Sequence, residues 1–267
     1  MNKFDIKDKI DAYIYKSYNV ISDTKFLFNI KAKQVLARNK RFIGADERKR
    51  CFIMGTGPSI NNLSEELIDK LANETVFGVN FLYKSKVFKK VMPTHYVLMD
   101  GAFWGEYSNV FRDVLSCYEN VDQPTFITDL RAKSFLELEG INDAFYVYAK
   151  KYPVDDVFLD FSKNTSALNN VVSYAISAAI YMGYEEIYLL GCDYNAFCTS
   201  GVGHCYDDDE LKNSGLNLSY FLKFYYITTV FHYLLSKKSK DLGVKVINLT
   251  DGSLLDAYPR KSSDYIL

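Results

Sequence analysis

The sequence predicts an α/β fold: a Rossmann-like, mostly parallel sheet flanked by helices, with a helical extension at the N-terminus. Short apolar segments alternate with segments of helical spacing along most of the chain, which is typical of parallel sheets covered on both faces. The first apolar segment leads into Gly55-Thr-Gly57, a tight turn of the kind that joins a strand to a helix. At 267 residues, 48% of them apolar, the chain can build one large domain.

The alternation defines seven strands and six helices. The strands are predicted at residues 51–54, 75–79, 95–99, 125–128, 144–148, 186–190 and 245–248. The helices are predicted at residues 5–40, 64–72, 104–116, 131–138, 167–182 and 215–242. In the first helix, apolar residues recur near helical spacing at Ile6, Ile10, Tyr13, Ile14 and Tyr18. We therefore divide the chain into a basic helical extension, residues 1–50, and a main domain, residues 51–267.

Composition limits the classes of partner and compartment. A net charge of −1 gives no general attraction to nucleic acid. The charged N-terminus does not resemble a secretory signal, and no apolar run reaches the ~20 residues of a membrane span. Five scattered cysteines indicate free thiols in a reducing cytoplasm. Eight basic residues between 31 and 50 indicate a solvated helix face or, alternatively, a peripheral contact with the inner face of a membrane.

The glycine turn is the strongest local motif. Glycines let the backbone approach a ligand, and the N–H groups that open the following helix favour a phosphate. Ile60 stands where a dinucleotide fingerprint would have its third glycine, and no Lys-Ser/Thr pair follows as in a P-loop. The turn therefore indicates either a nucleotide or other phosphorylated ligand near residue 55, or a purely structural connection.

Polar residues follow nearly every predicted strand. Ligands of parallel sheets bind outside the carboxyl ends of the strands, so these positions outline a site. They are Gly55–Ser59, Asn80, Asp100, Asp129 with Arg131, Gly191–Tyr194 and Thr250–Leu255. Thr165 or Ser166 is predicted to cap the helix at 167–182, whose N-terminus either meets a ligand oxygen or is simply capped.

One of the three histidines is a candidate general base. His204 follows two glycines in a loop and precedes Asp207–Asp209, and histidine titrates near neutral pH. The alternative is a solvent-exposed loop histidine, whereas His232 lies in an aromatic helix and is predicted to pack. Cys198, His204 and Cys205 could ligate zinc, but no fourth ligand is evident. The three aspartates could hold a divalent cation or form a solvated acidic loop.

Taken in order, these motifs resemble those of a known family. The motifs are Gly-Thr-Gly-Pro-Ser59, Val79-Asn80, the Gly-Tyr-Glu-Glu-Ile-Tyr-Leu-Leu-Gly-Cys-Asp193 run, Gly203-His204 and Asn248…Ser253-Leu-Leu255. They are similar to the bacterial sialyltransferases of glycosyltransferase family 42 and to related surface-polysaccharide glycosyltransferases. The similarity spans residues 50–258 and implies a single-domain, Rossmann-like variant of the GT-A fold.

The resemblance also implies roles for individual residues. His204 matches the general base, and Tyr194 and Tyr206 are candidates for the tyrosines that stabilise the leaving phosphate. Asp100 stands at a family asparagine. The residues expected to bind the nucleotide sugar are Gly55, Thr56, Gly57, Pro58, Ser59, Asn80, Asp100, Thr165, Ser166 and Asp193. The family uses no metal, so the donor CMP-sugar is the only small molecule implied besides the acceptor.

The activity that the resemblance implies is inverting sugar transfer. A sialic-acid-like or Kdo-like sugar would move from CMP to a glycan or glycolipid acceptor in lipopolysaccharide or capsule synthesis, and the family precedent suggests a homo-oligomer. Two alternatives stay open. One is a pterin-type pyrophosphokinase on a related fold, dependent on ATP and Mg²⁺, and the other is a non-catalytic nucleotide-binding protein.

Overall fold

Nine strands form two parallel sheets in the computed structural model, which describes residues 3–118, 121–199, 203–206 and 217–267. The strands are β1 (Arg50–Met54), β2 (Val76–Val79), β3 (His95–Leu98), β4 (Thr125–Asp129), β5 (Ala144–Val147), β6 (Ala149–Lys151), β7 (Thr165–Ser166), β8 (Glu186–Leu190) and β9 (Lys245–Asn248). The main sheet has the order β5-β4-β3-β2-β1-β8-β9, and β6 pairs with β7 in a small second sheet. The predicted fold class is confirmed.

The main sheet agrees closely with the sequence prediction. All seven of its strands lie where the apolar segments predicted them, and β8 and β9 have the predicted bounds. Each is almost wholly buried, because helices cover both faces of the sheet. The small sheet was not predicted, since two of the three residues of β6 are lysines and β7 contains only two residues.

The helices differ more from the prediction. They are α1 (Lys3–Phe28), α2 (Ile30–Ala37), α3 (Glu65–Leu71), α4 (Phe88–Val91), α5 (Val110–Ser116), α6 (Lys133–Leu138), α7 (Val171–Met182) and α8 (Leu218–Asp241). The single helix predicted at 5–40 is broken at Asn29, whose side chain accepts a hydrogen bond from the N–H of Ala32 (3.0 Å) and so starts α2. The helices predicted from 104, 131 and 167 begin at 110, 133 and 171, after irregular or 3₁₀ segments.

The core lies on both faces of the main sheet. Alternate strand residues point to opposite faces, so Phe52 and Tyr96 belong to one buried cluster and Phe77 and Val97 to the other. On the second face α7 crosses β1, β2 and β3. Its buried alanines and serines let it lie close to the strands, and this places its N-terminus beside their carboxyl ends.

The N-terminal region is attached to the sheet by its second half. Leu36 is fully buried, and the buried amide of Asn39 donates to the carbonyls of Tyr146 (2.7 Å) and Phe161 (2.8 Å). The apolar residues of α1 with helical spacing, such as Ile10 and Tyr13, are exposed in the monomer. The division at residue 50 stays a prediction. Across the described helices, none combines the length and apolar character that a membrane span requires.

Candidate functional site

A cavity of about 810 Å³ opens at the carboxyl ends of the strands. The strand order reverses at β1, which has β2 on one side and β8 on the other. Connections that leave neighbouring strands in opposite directions open a crevice between them, the usual ligand site of such sheets. The cavity lining includes Gly55, Thr56, Gly57, Asn80, Asp100, Asp193, Tyr194 and His204 from the predicted set.

The glycines of the first turn are required by a neighbouring loop. A Cβ atom on Gly55 would lie 2.4 Å from the carbonyl oxygen of Gly191, and one on Gly57 would lie 1.8 Å from Oδ2 of Asp193. The backbone N–H of Gly57 donates to that same Gly191 carbonyl (2.9 Å). The two glycines therefore let the β1 and β8 turns pack directly against each other.

The glycine turn does not lead directly into an α-helix, in contrast to the predicted phosphate site. A 3₁₀ turn, Pro58–Asn62, follows the glycines, and α3 begins only after its own cap at Ser64. The carboxylate of Asp193 accepts from the N–H of Ser59 (3.2 Å) and from its hydroxyl (2.7 Å). Pro58 and Ser59 are not among the residues that line the cavity. Asp193 therefore fixes the turn, and Gly55, Thr56 and Gly57 are the part that faces the cavity.

His204 is held beside this turn. The N–H of Cys205 donates to the carbonyl of Thr56 (2.7 Å), and the amide of Asn61 donates to the carbonyl of Cys205 (3.0 Å). The imidazole of His204 lines the cavity and stacks on the ring of Tyr206, with centroids 5.1 Å apart. Tyr206 is buried and packs edge-on against Phe81. Tyr206 therefore supports the imidazole from behind and is not itself a cavity residue.

Tyr194 lines the cavity through its ring, with its hydroxyl directed to α8. It has a left-handed backbone (φ 56°), and its hydroxyl is hydrogen-bonded to Thr228 and accepts from Thr229 (3.4 Å). Thr228 donates its own proton to the carbonyl of Phe224 (2.9 Å), so Tyr194 is the donor in their shared bond. Burial raises the pKa of Tyr194, which keeps the phenol protonated at neutral pH.

His232 is fully buried, which confirms the packing role predicted from its aromatic helix, and its ring also borders the cavity. Its Nδ1 lies 3.0 Å from the hydroxyl of Tyr258, and its Nε2 lies 3.1 Å from Oγ of Ser173. Burial lowers the pKa of His232 to about 3, so the ring is neutral. No local sequence pattern signals these contacts, because they join α8 to α7 and to residue 258.

The opposite wall of the cavity carries polar side chains from the other strands. Asn80 follows β2 with φ 47°, and its carbonyl accepts from the hydroxyl of Tyr96 (2.7 Å). Asp100 follows β3 and accepts from the N–H of Ala102 (2.9 Å). Asp129 and Arg131 follow β4 as an ion pair. Lys150 lies beyond β5; it was not predicted, although the strand-end rule applies to it equally.

Thr165 and Ser166 neither cap α7 nor line the cavity, in contrast to the prediction. They form β7, are buried, and are not part of the cavity lining. The cap of α7 is Asn170, whose side chain accepts from the N–H of Ser173 (3.1 Å). Thr165 instead donates its N–H to the carbonyl of Tyr148, and the Ser166 hydroxyl accepts from the N–H of Phe158 (3.0 Å). These hydrogen bonds hold β7 against the neighbouring segments. Asn169 and Asn170 line the cavity instead.

Comparison with known proteins identifies the family. The sequence model described as "MptE-like: 6-hydroxymethylpterin diphosphokinase MptE-like" matches residues 18–197, more than half of the chain. The chain belongs to the MptE-like family. The match begins inside α1 and ends just after Tyr194, so it includes the glycine turn, the polar strand ends and Asp193.

Two solved structures resemble this MptE-like protein. One is the sialyltransferase CstII from Campylobacter jejuni in complex with a substrate analogue, at 17% identity and TM-score 0.48, covering 79% of this chain and 84% of that one. The other is the MAf glycosyltransferase from Magnetospirillum magneticum AMB-1, at 15% identity and TM-score 0.49. The latter match covers 88% of this chain but only 38% of that one. No curated protein sequence matches the chain.

Metal binding at Cys198, His204 and Cys205, or at Asp207–Asp209, was an alternative that the sequence of this MptE-like chain left open. Among the described residues, no three histidine, cysteine or acidic side chains come together as a potential metal site. Burial raises the pKa of the Cys205 thiol to about 12, and Cys198 donates to the carbonyl of Asn195 (3.1 Å), which does not favour the proposed zinc ligands. Asp207–Asp209, the acidic loop of the alternative hypothesis, lies outside the described residues.

Proposed function

We propose that this MptE-like protein is a glycosyltransferase that moves a sugar from a CMP-activated donor to a glycan acceptor, with His204 as general base. The observation that carries the proposal is the position of His204, in the wall of the cavity at the switch point of the sheet and anchored to the glycine turn. The cavity volume of about 810 Å³ is within the range for a small-molecule site and has room for a nucleotide with its sugar.

The chemistry follows from the properties of imidazole. His204 accepts the proton of an acceptor hydroxyl while that oxygen attacks the anomeric carbon of the donor. The bond from this carbon to the phosphate oxygen breaks, and CMP leaves with the bonding electrons. Negative charge that develops on the phosphate needs hydrogen-bond donors aimed at it, since the proposed mechanism uses no metal. The stacked ring of Tyr206 limits rotation of the imidazole and so keeps the base oriented.

The finer assignment follows the motif resemblance. The donor sugar is a sialic-acid-like or Kdo-like acid, and the acceptor belongs to a bacterial surface glycan or glycolipid such as lipopolysaccharide or capsule. Gly55, Thr56 and Gly57 contact the CMP moiety, with Asn80 and Asp100 nearer to the sugar. A cytoplasmic location fits an enzyme that consumes a CMP-sugar, and the free cysteines agree with it.

A second candidate function is favoured by the family description. A 6-hydroxymethylpterin diphosphokinase would need ATP and Mg²⁺, and carboxylates to hold the metal. Among the described residues, three carboxylates line the cavity, those of Asp100, Asp129 and Asp193. Asp129 is already paired with Arg131, and Asp193 with Ser59, which leaves fewer ligands for a metal in the described part of the chain. A non-catalytic nucleotide-binding protein is the third candidate.

Replacement of the base tests the proposal. We expect His204→Ala to lower the rate of sugar transfer from CMP-N-acetylneuraminic acid by about 10²- to 10⁴-fold while CMP affinity changes little. His95→Gln is the matched control, because His95 begins β3 at the other end of the sheet. Transfer that survives in His204→Ala would remove the base assignment. ATP- and Mg²⁺-dependent diphosphate transfer to a pterin, unchanged in His204→Ala, would establish the second candidate.

Membrane contact through the basic region is part of the proposal. Lys31, Lys33, Arg38 and Lys40 are exposed and form no ion pair with a described residue, whereas Arg41, Lys49 and Arg50 pair with acidic residues of the protein itself. The group without ion pairs is therefore the one available to an anionic lipid surface. Pelleting with phosphatidylserine vesicles at low salt, and release at high salt, is the expected result. Recovery of all protein in the supernatant at low salt would contradict it.

A further inference from the structure

One wall of the cavity carries two cationic side chains, Arg131 just after β4 and Lys150 in β6, which begins just after the end of β5. In the sheet order, β4 is three strands and β5 four strands away from β1. At the usual spacing of neighbouring strands, these ends lie about 14 and 19 Å from the glycine turn. A ligand held by its nucleotide at the glycine turn would therefore have to extend across Asn80 and Asp100 to reach them.

Arg131 is held rigidly by groups of the protein. Its Nε and Nη2 atoms each donate to a carboxylate oxygen of Asp129 at 2.9 Å, and its backbone N–H donates to the same carboxylate at 2.8 Å. The guanidinium carbon lies 5.6 Å from the ring centre of Trp104. The Asp129 side chain is 7% exposed and that of Arg131 is 61% exposed, so the buried carboxylate anchors a guanidinium that reaches solvent.

The paired guanidinium retains binding capacity. Arginine has five N–H donors, and the pair with Asp129 uses one edge of the fork. In the described part of the chain, no hydrogen bond is formed by Nη1 of Arg131. A planar fork with one edge fixed and another available is suited to a carboxylate or a phosphate. Asp129 thus orients Arg131 and leaves donors for a ligand.

Lys150 differs from the lysine that follows it. The ammonium of Lys151 pairs with Asp23 at 2.7 Å and lies over Phe158, whereas Lys150 lines the cavity and has no carboxylate partner among the described residues. The N–H of Lys150 donates to Oδ1 of Asn164 at 3.1 Å. The amide of Asn164 in turn donates to Asp23 at 2.9 Å. The backbone of Lys150 is therefore fixed from α1.

We propose that Arg131 and Lys150 form a subsite for an anionic group, a carboxylate or a phosphate, on the part of the substrate that lies beyond the nucleotide. The inference rests on the proposed function, because it assumes that the nucleotide occupies the glycine turn. An acidic sugar on the donor and a phosphorylated acceptor both present such a group. A neutral hexose would give neither the remaining donors of Arg131 nor the ammonium of Lys150 an anionic partner, so the subsite selects against it.

The single tryptophan of the chain provides a direct readout of this subsite. Trp104 lies against Arg131, so an anion bound there should change its fluorescence. The probes are N-acetylneuraminic acid, its uncharged methyl ester and inorganic phosphate. We expect saturable binding of the acid, of phosphate or of both, and none of the ester. Arg131→Gln and Lys150→Gln should each weaken binding by about 10- to 100-fold, the effect of losing a charge-assisted hydrogen bond.

Control variants make the result specific. Arg112→Gln removes an arginine that is also paired at two points, with Glu139 (2.6 and 2.9 Å), but lies outside the cavity, so it should bind as the wild type does. Lys150→Gln leaves the pair between Asp129 and Arg131 intact, which keeps the test valid if Arg131→Gln fails to fold. If the protein binds the acid alone, the natural ligand of the subsite is a carboxylated sugar. If it binds phosphate alone, the natural ligand is a phosphorylated acceptor.

The inference and the proposed function fail in different ways. Equal binding of acid and ester, wild-type affinity in both charge variants, or no binding of either anion at about 10 mM would overturn the subsite. Stabilisation by CMP, measured by thermal denaturation of the same preparations, reports on the nucleotide site separately. Anion binding without CMP binding would leave the subsite in place and remove the proposed function.

Discussion

The two walls of the cavity are built in different ways. The inner wall, residues 55–57 and 191–194, consists of two turns in direct contact, and its polar groups are mostly bonded to one another or to Ser59 behind them. The outer wall, residues 100–101, 129–131 and 150, presents charged side chains to the cavity, and Arg131 is mostly exposed. The inner wall has a shape fixed by backbone, whereas the outer wall carries charge that a ligand can contact.

This difference separates two tasks within one site. Under the proposed function, the backbone of the inner wall binds the nucleotide, the part that all donors of one class share. The exposed charges of the outer wall then bind the part that varies, such as the sugar acid or the acceptor. Substitutions in the inner wall should therefore act on folding and nucleotide affinity together, and those in the outer wall on substrate choice. The expected effects range from disruption of the glycine turn, the largest, to loss of a single phenolic hydroxyl, the smallest.

Gly55→Ala should have the largest effect, because the added methyl group would lie 2.4 Å from the carbonyl oxygen and 3.0 Å from the carbonyl carbon of Gly191. Backbone atoms of a buried turn cannot move aside cheaply, so we expect a loss of about 3 kcal/mol or more in the free energy of unfolding. Urea denaturation measures it. Gly101→Ala is the outer-wall control, since its nearest contact would be 3.8 Å from Trp104. A Gly55→Ala protein as stable as Gly101→Ala would show that the inner wall is not tightly packed.

Ser59→Ala should come next. The hydroxyl donates at 2.7 Å to the buried carboxylate of Asp193, and hydrogen bonds to charged groups contribute about 1.5–3 kcal/mol. The free energy of unfolding should fall by that amount, and CMP affinity should fall with it. Ser116→Ala, which removes an exposed hydroxyl bonded to the carbonyl of Asp113, should change stability by less than about 0.5 kcal/mol. Equal losses in the two variants would contradict a special role for the link between Ser59 and Asp193.

His232 should make stability depend on pH. Burial lowers the pKa of His232 to about 3, whereas histidine in the unfolded chain has a pKa near 6.5. Below pH ~6.5 the unfolded chain binds a proton that the folded chain does not, so the free energy of unfolding falls as pH decreases through this window, by about 1.4 kcal/mol per unit. Urea denaturation from pH 7 towards pH 5 measures the slope. A His232→Gln variant with an unchanged slope would assign the pH dependence to other groups.

Tyr194→Phe should have the smallest effect. Its hydroxyl is bonded to Thr228 and Thr229, so the change removes hydrogen bonds of about 1 kcal/mol in total and leaves the ring against the cavity. We expect kcat for sugar transfer to change by no more than about threefold. A fall of about 100-fold or more would show that the hydroxyl turns from Thr228 to the leaving phosphate, the role that the motif resemblance gives it.

The sequence predicted the sheet better than it predicted the walls of the site. Strands buried on both faces are nearly continuous apolar runs, as in Glu186–Leu190, and such runs are visible without any knowledge of tertiary contacts. The ends of these strands then located Asn80, Asp100 and Asp129 correctly at one edge. Lys150 lies three residues beyond β5 and obeys the same rule, but the prediction named no residue after this strand.

The predictions that were wrong concern contacts between elements that are distant in the sequence. Ser59 bonds to Asp193 because β1 and β8 are neighbours in register, and no local pattern reports that pairing. The cap of α7 was placed at Thr165 or Ser166, which are good capping residues, yet Asn170 performs it because the two earlier residues are taken into β7. Tyr206 was predicted from its own segment to act on the leaving phosphate, whereas it packs on Phe81, which is distant in the sequence.

A nucleotide screen is the most direct test of the central claim, that the inner wall binds the CMP moiety of a sugar donor. The melting temperature is measured with CMP, UMP, GDP, ADP and ATP, each with and without Mg²⁺, because a ligand that binds only the folded state raises it. We expect a rise with CMP that does not depend on Mg²⁺. A rise with ATP alone, and only when Mg²⁺ is present, would contradict the claim and favour the diphosphokinase.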